Sequence, residues 1–208
     1  MKRVLETTDT AKTMIFVLVH GINDTCRKFK TMQTAFENKG YRCIVPSLTP
    51  KNGSKGLPYL ARQLKDIITA ETGDKDTRIC LVGFSMGGLI SRYYLQELDG
   101  YKVVSHFFCI SAPHHGSLLA YLSPGLGALQ MRPGSDFIRS LEQSSACLQG
   151  LACYSYWTPF DLMILPATSS IWEKAENIKI HSPCHPFMVK NNKLIADILA
   201  KVSNRGIS

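Results

Sequence analysis

The sequence has no hydrophobic run long enough to cross a bilayer, which takes about 20 apolar residues. Its first apolar run, residues 14–19, is far shorter, and the polar segment before it lacks the apolar core of a secretory signal. We therefore expect a soluble, cytoplasmic protein. The chain also lacks internal repeats, low-complexity tracts and interdomain linkers, so one domain spanning residues 1–208 is the expectation.

Acidic residues are the scarcer charged class, with 16 Asp and Glu against 24 Lys and Arg, and the net charge is +8. Such a charge attracts nucleic acids, anionic phospholipid surfaces and acidic metabolites without choosing among them. The basic residues are scattered apart from a cluster at residues 27–30, which favours a solvated cationic surface over a specific nucleic-acid site. Weak association with an anionic membrane surface stays open, and the oligomeric state is unknown.

The chain lacks the even set of cysteines that a disulfide framework needs. It has seven, and Cys43, Cys80 and Cys109 lie within apolar runs, where a thiol acts as a small buried hydrophobe. This pattern favours a reducing compartment. Pairing of Cys147 with Cys153 in an oxidising environment stays open, because sequence does not fix the geometry that a disulfide requires.

Six apolar, β-rich runs alternate with segments of helical length. The runs are residues 14–19, 41–45, 78–82, 103–110, 151–156 and 177–180. The helical segments are residues 26–39, 56–71, 86–98 and 187–202. Continuous apolar strands are typical of sheets buried on both faces. Their alternation with helices predicts a three-layer, doubly wound α/β fold with a mostly parallel sheet of about six strands.

Residues 116–150 break this alternation. They contain no clear strand, and turn residues at 123–125 and 132–134 interrupt apolar or helical stretches. We expect an excursion over the top of the sheet, either a cap-like lid or a connecting helix with loops.

The third strand runs into GFSMG at residues 83–87, a G-x-S-x-G pattern placed between a strand and a helix. A serine at so sharp a turn has a strained backbone, and the residues two before and two after it must be small, as Gly83 and Gly87 are. The turn raises the Ser85 hydroxyl above the carboxyl edge of the sheet as a nucleophile. The Met86 N–H, at the helix start, points toward a developing oxyanion. The alternative is a glycine-rich turn with an incidental serine.

A serine nucleophile needs a base and a group that holds the base. After a turn of this kind, the acid follows a late strand and the histidine follows the last strand. Asp161, after the fifth predicted strand, is the candidate acid. The other downstream acids, better explained as surface charges, are Asp99, Asp136 and Asp197. His181 and His185 both follow the sixth strand, and we assign the base to His185 and a loop-fixing role to His181.

His20-Gly21-Ile22 follows the first strand. In this architecture the N–H after such a glycine commonly supplies the second oxyanion donor. We therefore select Ile22 for its amide and expect His20 to brace the loop. A purely structural turn is the alternative.

Taken together, these segments resemble the small lipases and esterases of the α/β-hydrolase superfamily, in particular the compact bacterial lipases without a large lid domain. The segments are VLVHGINDTCRKFKTMQTAFENKGYRCIVP, LVGFSMGGLISRYYL, SAPHHGS, RPGSDF, YWTPFDLMILP and NIKIHSPCHPFMVKNNKLIADIL. The resemblance runs from about residue 15 to residue 202 and implies an α/β-hydrolase fold. It also implies a triad of Ser85, Asp161 and His185, with an oxyanion hole made by the amides of Ile22 and Met86.

The substrate is less defined, because Asn23-Asp24 and Pro183-Cys184 stand where many relatives have small residues or glycine. An apolar set in the excursion could line an acyl cleft, with burial beneath the excursion as the alternative. Its members are Leu118, Leu119, Tyr121, Leu122, Leu126 and Leu129. We select Leu118 and Leu122 as substrate-binding residues.

The expected reaction is two-step acyl transfer from a carboxylic ester with a lipid or other apolar acyl group, in which water releases the acyl-enzyme. No cofactor is expected, and no metal either, because the adjacent side chains of His114 and His115 diverge and no further ligand cluster lies nearby.

A thioesterase or acyltransferase would use the same residues. The alternative from another class is a non-catalytic membrane-surface binding protein on the same scaffold.

Overall fold

The computed structural model describes residues 14–73 and 77–204. Within them, strands form one sheet in the order β2-β1-β3-β4-β5-β6, and every neighbouring pair is parallel. The strands are β1 (Met14–Val19), β2 (Arg42–Ile44), β3 (Arg78–Phe84), β4 (Val104–Ile110), β5 (Ala152–Trp157) and β6 (Glu176–Lys179). The strand order reverses between β1 and β3, so their carboxyl ends form the switch point at which doubly wound sheets bind ligands. The predicted fold class is confirmed.

Helices cover both faces of this sheet. They are α1 (Lys30–Glu37), α2 (Leu57–Thr72), α3 (Met86–Glu97), α4 (Leu126–Gln130), α5 (Asp136–Gln143) and α6 (Asn192–Asn204). Successive side chains of a strand point to opposite faces, and β1 divides accordingly. Val17 joins the hydrophobic cluster beneath α2 and α3, whereas Phe16 joins the cluster beneath α1 and α6. Burial on both sides accounts for the continuous apolar runs in the sequence.

Two predicted helices are divided by 3₁₀ segments. The helix expected at residues 26–39 consists of a 3₁₀ helix, Cys26–Phe29, followed by α1. The helix expected at residues 187–202 consists of a 3₁₀ helix, His185–Lys190, followed by α6. Asn191 separates these two, because its Oδ1 accepts the N–H groups of Lys193 (3.0 Å) and Leu194 (3.2 Å) and thereby caps α6.

Residues 116–150 contain helices and, among the described residues, no strand, as the sequence predicts. They form a 3₁₀ helix, Leu118–Leu122, then α4, α5 and a second 3₁₀ helix, Ser144–Leu148. Ser135 caps α5 by accepting the Ile138 N–H at 3.2 Å, and α5 buries its apolar face in the cluster beneath α2 and α3. No helix in the described ranges is both long enough and apolar enough to cross a membrane.

Candidate active site

Ser85 lies at the turn from β3 to α3, at the carboxyl edge of the sheet. Its backbone has φ 55° and ψ −126°, a combination that residues with a Cβ rarely adopt. Two hydrogen bonds hold it there: the Ser85 N–H donates to the Ile110 carbonyl, and the Ser85 carbonyl accepts the Gly88 N–H, both at 2.9 Å. Backbone strain of this kind persists only where the surroundings fix it, and it is concentrated at functional sites.

Close backbone packing explains the glycines on either side of Ser85. A Cβ on Gly83 would lie 2.6 Å from the Gly88 Cα, and a Cβ on Gly87 would collide with backbone oxygens at the end of β1. A Cβ on Gly21 would lie 3.1 Å from the Ser85 Cβ, so the loop after β1 also approaches the turn closely. The predicted requirement for small residues at positions 83 and 87 is confirmed.

Asp161 and His185 form a buried pair on the loops that follow β5 and β6. Asp161 Oδ2 lies 2.7 Å from His185 Nδ1, and Asp161 Oδ1 accepts the N–H groups of Met163 and Ile164, both at 2.9 Å. Burial raises the pKa of Asp161, but the hydrogen bond and charge of His185 and the two amide hydrogen bonds outweigh burial, so the net pKa is lowered. Asp161 is therefore an ionised carboxylate near neutral pH.

The ionised carboxylate fixes the role of each nitrogen of His185. A carboxylate only accepts hydrogen bonds, so Nδ1 carries the proton and Nε2 is left as the basic nitrogen. The His185 ring lies 4.7 Å, between centroids, from the ring of Phe84, which immediately precedes Ser85. The structure thus brings Ser85, Asp161 and His185 to the same edge of the sheet.

Thr158 ties the acid loop to the histidine loop, and sequence reasoning did not single it out. Its side chain is fully buried, and its Oγ1 donates to the Ser182 carbonyl at 3.0 Å while accepting the Phe160 N–H at 3.4 Å. The contact joins the segment before Asp161 to the segment before His185. The only signal in the sequence is a threonine shortly before the acid, which many surface loops share.

The two amides proposed for the oxyanion hole lie at the switch point. Met86 is the first residue of α3, where the leading N–H groups of a helix have no partner within the helix. Ile22 follows β1 and lines the same cavity as Ser85. The assignment of these amides to an oxyanion hole stays a prediction.

His20 holds the loop that carries Ile22. Its Nε2 accepts the Leu48 N–H at 3.2 Å, and its Nδ1 lies 2.8 Å from the Gly21 carbonyl oxygen. One nitrogen accepts and the other donates, so both ring nitrogens of His20 are bonded to the backbone. The predicted bracing role of His20 is confirmed.

An apolar cavity of about 220 Å³ opens beside Ser85. Its apolar walls include Ile22 from the loop after β1, Leu119, Leu122 and Met131 from the excursion, and Met163 and Ile164 from the acid loop. Ligand pockets are typically concave, mostly apolar and supplied with a few polar groups, and here Ser85 is one of those polar groups.

Leu122 lines this cavity but Leu118 does not, and the assignment of both as substrate-binding residues stays a prediction. Both belong to a 3₁₀ helix, in which residues three apart share a face. Leu119 and Leu122 therefore face the cavity, whereas Leu118 and Tyr121 turn away from it and are 56% and 54% exposed. Tyr121, Leu126 and Leu129 line a separate surface groove.

A second cavity, of about 280 Å³, lies between the 3₁₀ helices Cys26–Phe29 and His185–Lys190, and we refer to it as the cationic cavity. Its lining consists of Asp24, Arg27, Lys28, Pro186, Phe187 and Lys190. Lys28 Nζ lies 3.5 Å from Asp24 Oδ1 and 5.3 Å from the centroid of the Phe84 ring. This cavity shares no lining residue with the apolar one.

A buried cluster on α3 was also missed by sequence reasoning. Arg92 is fully buried and donates to the Leu141 carbonyl (3.0 Å) and to Gln96 Oε1 (3.1 Å), and its guanidinium lies 4.5 Å from the centroid of the Trp172 ring. His114 stacks on the same ring, with centroids 4.7 Å apart, and its Nδ1 lies 3.4 Å from Arg92 Nη1. Burial, followed by the charge of Arg92, lowers the pKa of His114 well below its usual value.

His115 points away from this cluster, as expected for neighbouring side chains. It is exposed, and its Nε2 lies 3.0 Å from the Ile171 carbonyl oxygen. Within residues 14–73 and 77–204, no three potential metal-ligating side chains come together.

The other residues considered as acid or base are not part of the buried Asp161–His185 pair. Asp99 and Asp136 each pair with a basic side chain three residues later in the chain. Asp197 accepts a hydrogen bond from the Tyr156 hydroxyl at 2.7 Å. His181 is exposed, whereas His185 is buried.

All seven cysteines are free thiols. Cys147 Sγ donates to the Ser144 carbonyl at 3.2 Å, and burial raises the pKa of Cys153 to about 12. The two cysteines that the sequence left as a candidate pair are therefore unpaired thiols.

The parallel sheet, its flanking helices and the strand-to-helix turn at Ser85 define an α/β-hydrolase. Residues 15–158 match the family model of the palmitoyl protein thioesterases. This match covers more than half of the chain, so the protein belongs to that family. No match was found among curated proteins. Family and fold together make it a hydrolase of the lipase, esterase and thioesterase type.

Solved structures show the same fold at low sequence identity. The mature lipase BlEst2 of Bacillus licheniformis is 20% identical with a TM-score of 0.70, and the match covers 95% of this chain and 94% of that one. Aspergillus fumigatus lipase B is 17% identical with a TM-score of 0.77, over 94% of this chain and 53% of that one. Phospholipase PlaB of Legionella pneumophila is 22% identical with a TM-score of 0.61, over 70% of this chain and 38% of that one. The chain thus spans only part of the last two proteins.

Proposed function

We propose that this protein is a serine hydrolase that cleaves carboxylic esters of apolar acyl groups, with Ser85 as nucleophile, His185 as base and Asp161 as the acid that holds the base. One observation carries the proposal. The strained Ser85 stands at the wall of an apolar cavity, on the sheet edge where His185 and Asp161 are hydrogen-bonded at 2.7 Å.

The proposed reaction proceeds in two steps. The Ser85 Oγ attacks the acyl carbonyl carbon while its proton passes to His185 Nε2, and Asp161 stabilises the resulting imidazolium. The amides of Ile22 and Met86 bind the oxyanion, for which one donor typically contributes about 3–4 kcal/mol to lowering the barrier. The carbonyl–leaving-group bond then breaks, and the leaving atom takes the proton from His185. Water repeats the sequence on the acyl-enzyme and releases the acid.

Modification of the nucleophile is the direct test. A fluorophosphonate probe is expected to label the wild-type protein and to leave Ser85→Ala unlabelled. Ser123→Ala is the matched control, because Ser123 also lines the apolar cavity but is not part of the proposed triad. Absence of serine-dependent labelling on the wild type would favour a non-catalytic binding protein.

The apolar cavity supports an apolar acyl group as the substrate. Burial of one methylene contributes about 0.8 kcal/mol, or roughly fourfold in kcat/KM, for as long as the cavity accepts the chain. We expect kcat/KM for p-nitrophenyl esters to rise with acyl length and then to level off. A flat series would indicate an esterase for small esters and would exclude the lipid-ester assignment.

Membership of the palmitoyl protein thioesterase family favours a thioester as the second candidate substrate. The same residues would act, since the leaving atom is sulfur in place of oxygen. Comparison of kcat/KM for an oxyester and a thioester of the same acyl group distinguishes the two substrates.

An acyltransferase would use an acceptor alcohol or thiol in place of water. Product analysis with an added acceptor tests for this activity.

Exposed apolar side chains around the site support weak association with an anionic membrane surface. Leu122, Leu162 and Phe187 come from three different segments at the carboxyl edge and are 80%, 72% and 54% exposed, and the chain carries a net charge of +8. Binding to anionic vesicles is expected to weaken at high salt and in Leu162→Ser. Val103→Ser is the control, because Val103 is an exposed apolar residue at the opposite, amino edge of the sheet. Binding that does not change with salt would exclude charge as its cause.

The seven free thiols support a reducing location such as the cytoplasm. Alkylation of the protein in a denatured but unreduced cell extract is expected to reach every cysteine. Cysteines that react only after reduction would contradict this location.

A further inference from the structure

We propose that the cationic cavity binds a phosphate group carried by the leaving alcohol or thiol of the substrate. This inference rests on the proposed function, because it names the group that the proposed reaction releases. It extends that function by giving the second cavity of the site a ligand.

The 3₁₀ helix His185–Lys190 connects the cationic cavity to the proposed base. Residues three apart share a face of such a helix, so His185 and Met188 lie together on the buried face. Phe187 and Lys190 lie together on a second face and line the cationic cavity. One short helix therefore positions both the base and a cation of the cavity.

Lys28 approaches the same base from the opposite wall of the cavity. Its Nζ lies 5.3 Å from the centroid of the Phe84 ring, and the Phe84 ring lies 4.7 Å from the His185 ring. One aromatic ring thus links Lys28 to His185. Lys28, which lines the cationic cavity, and the proposed base therefore lie against the same aromatic ring.

The charge of the cavity matches a phosphate better than a carboxylate. Lys28 is paired with Asp24 at 3.5 Å, which offsets one of the three positive charges. Arg27 and Lys190 are exposed, and no carboxylate within the described ranges forms an ion pair with either. The net charge of about +2 complements a phosphate monoester, which carries roughly −1.5 to −2 at pH 7.

The reaction itself assigns this cavity to the leaving group. The leaving atom receives its proton from His185, so the leaving group must pass the imidazole. The apolar cavity, which shares no lining residue with the cationic one, accepts the acyl chain. Each cavity therefore receives one half of the substrate.

Two pairs of water-soluble substrates test the inference without a membrane surface. The thioester pair is butyryl-coenzyme A and butyryl-N-acetylcysteamine, which lacks the phosphates. The oxyester pair is dibutyrylglycerol 3-phosphate and dibutyrylglycerol. At low ionic strength we expect kcat/KM for the phosphate-bearing member to exceed that for the neutral member about tenfold in at least one pair, as two charges at several ångströms would give.

The double variant Arg27→Gln/Lys190→Gln is expected to bring this ratio close to one. The control Lys39→Gln/Arg78→Gln removes the same charge from the amino edge of the sheet, where Lys39 precedes β2 and Arg78 begins β3. Its ratio is expected to equal that of the wild type. In 1 M salt the wild-type ratio is also expected to fall, because the Debye length shrinks to about 3 Å.

The two substrate pairs distinguish the possible sources of the phosphate. A preference in the thioester pair alone identifies a nucleotide-bearing thiol as the source of the phosphate, and a preference in the oxyester pair alone identifies a lipid headgroup. Ratios near one in both pairs, or equal losses in both double variants, would overturn the proposal and indicate general steering by net charge. If Ser85 is not labelled and no substrate is cleaved, the proposed function itself has failed.

Discussion

Two buried histidines of this protein have opposite electrostatic neighbours. His185 donates its Nδ1–H to the carboxylate of Asp161 at 2.7 Å, whereas His114 has its Nδ1 3.4 Å from the guanidinium of Arg92. A neighbouring carboxylate stabilises a protonated imidazole, and a neighbouring guanidinium opposes it. Burial alone therefore does not identify a general base: the ring of His185 is held by a carboxylate, whereas burial and then the charge of Arg92 lower the pKa of His114.

Of the changes that test this comparison, removal of the Asp161 carboxylate charge should have the largest effect. We expect Asp161→Asn to lower kcat on a p-nitrophenyl ester by about 10⁴-fold, because a neutral amide neither stabilises the imidazolium nor enforces the tautomer with a free Nε2. Asp136→Asn, at an exposed acid, should leave kcat unchanged. A loss of less than tenfold in Asp161→Asn would mean that this carboxylate does not hold the base.

Removal of the cation beside the other histidine should affect stability more than chemistry. Arg92→Met keeps much of the side-chain volume but removes the donors of Arg92 to the Leu141 carbonyl and to Gln96. It leaves that carbonyl with the Gln96 Nε2 donor and also removes the ion pair of Arg92 with Glu142 at 3.6 Å. We expect the free energy of unfolding to fall by about 3 kcal/mol, measured by urea denaturation. Arg139→Met, which removes an exposed ion pair, should change it by less than 1 kcal/mol. Equal effects of the two substitutions would show that the buried cluster adds no stability.

The two histidines should also differ in how pH acts on stability. The pKa of His114 is lowered in the folded state, so the unfolded chain, with a histidine pKa of about 6.5, binds the proton first as the pH falls. Protonation of the unfolded state then favours unfolding below about pH 6.5. The lowered pKa of Asp161 acts in a different window, since its contribution is present above about pH 4 and is lost as the pH falls through the folded pKa.

Urea denaturation at pH 7 and pH 5.5 measures the contribution of His114. Over this interval the wild type should lose about 1 kcal/mol more stability than His114→Gln, which cannot take up the proton. The comparison uses the change with pH within each protein, so any constant destabilisation of the variant cancels. An equal loss in both proteins would mean that His114 titrates alike in the folded and unfolded states.

The sheet and the three proposed triad residues were predictable because each depends on local sequence order. Strands buried on both faces produce continuous apolar runs, and the loops after parallel strands meet at one edge of the sheet. Ser85, Asp161 and His185 each follow a strand, so their shared edge could be read from the sequence. The rigid turn at Ser85 was predictable from the small residues around it.

The buried cluster and the wall of the apolar cavity were not predictable, because both depend on contacts between distant segments or on helix type. An arginine within a helix is usually solvent-exposed, and nothing near Arg92 in the chain indicates that Trp172 covers it. The position of Leu118 outside the cavity could not be predicted, because a run of five residues does not reveal whether its period is three or four. The link between Thr158 and Ser182 likewise joins two loops whose contact appears only in the folded chain.

The smallest expected effect concerns Thr158, which fixes the position of the loop that carries His185. Thr158→Val keeps the shape of the side chain but removes the hydrogen bond to the buried Ser182 carbonyl, so we expect a loss of about 1 kcal/mol in stability and a several-fold lower kcat. Thr158→Ser retains the hydroxyl and should recover most of kcat. If Thr158→Val lost stability but kept kcat, the contact would be purely structural. The bond to Asp161 would then suffice to hold the base, and the contrast with His114 would rest on that single pair.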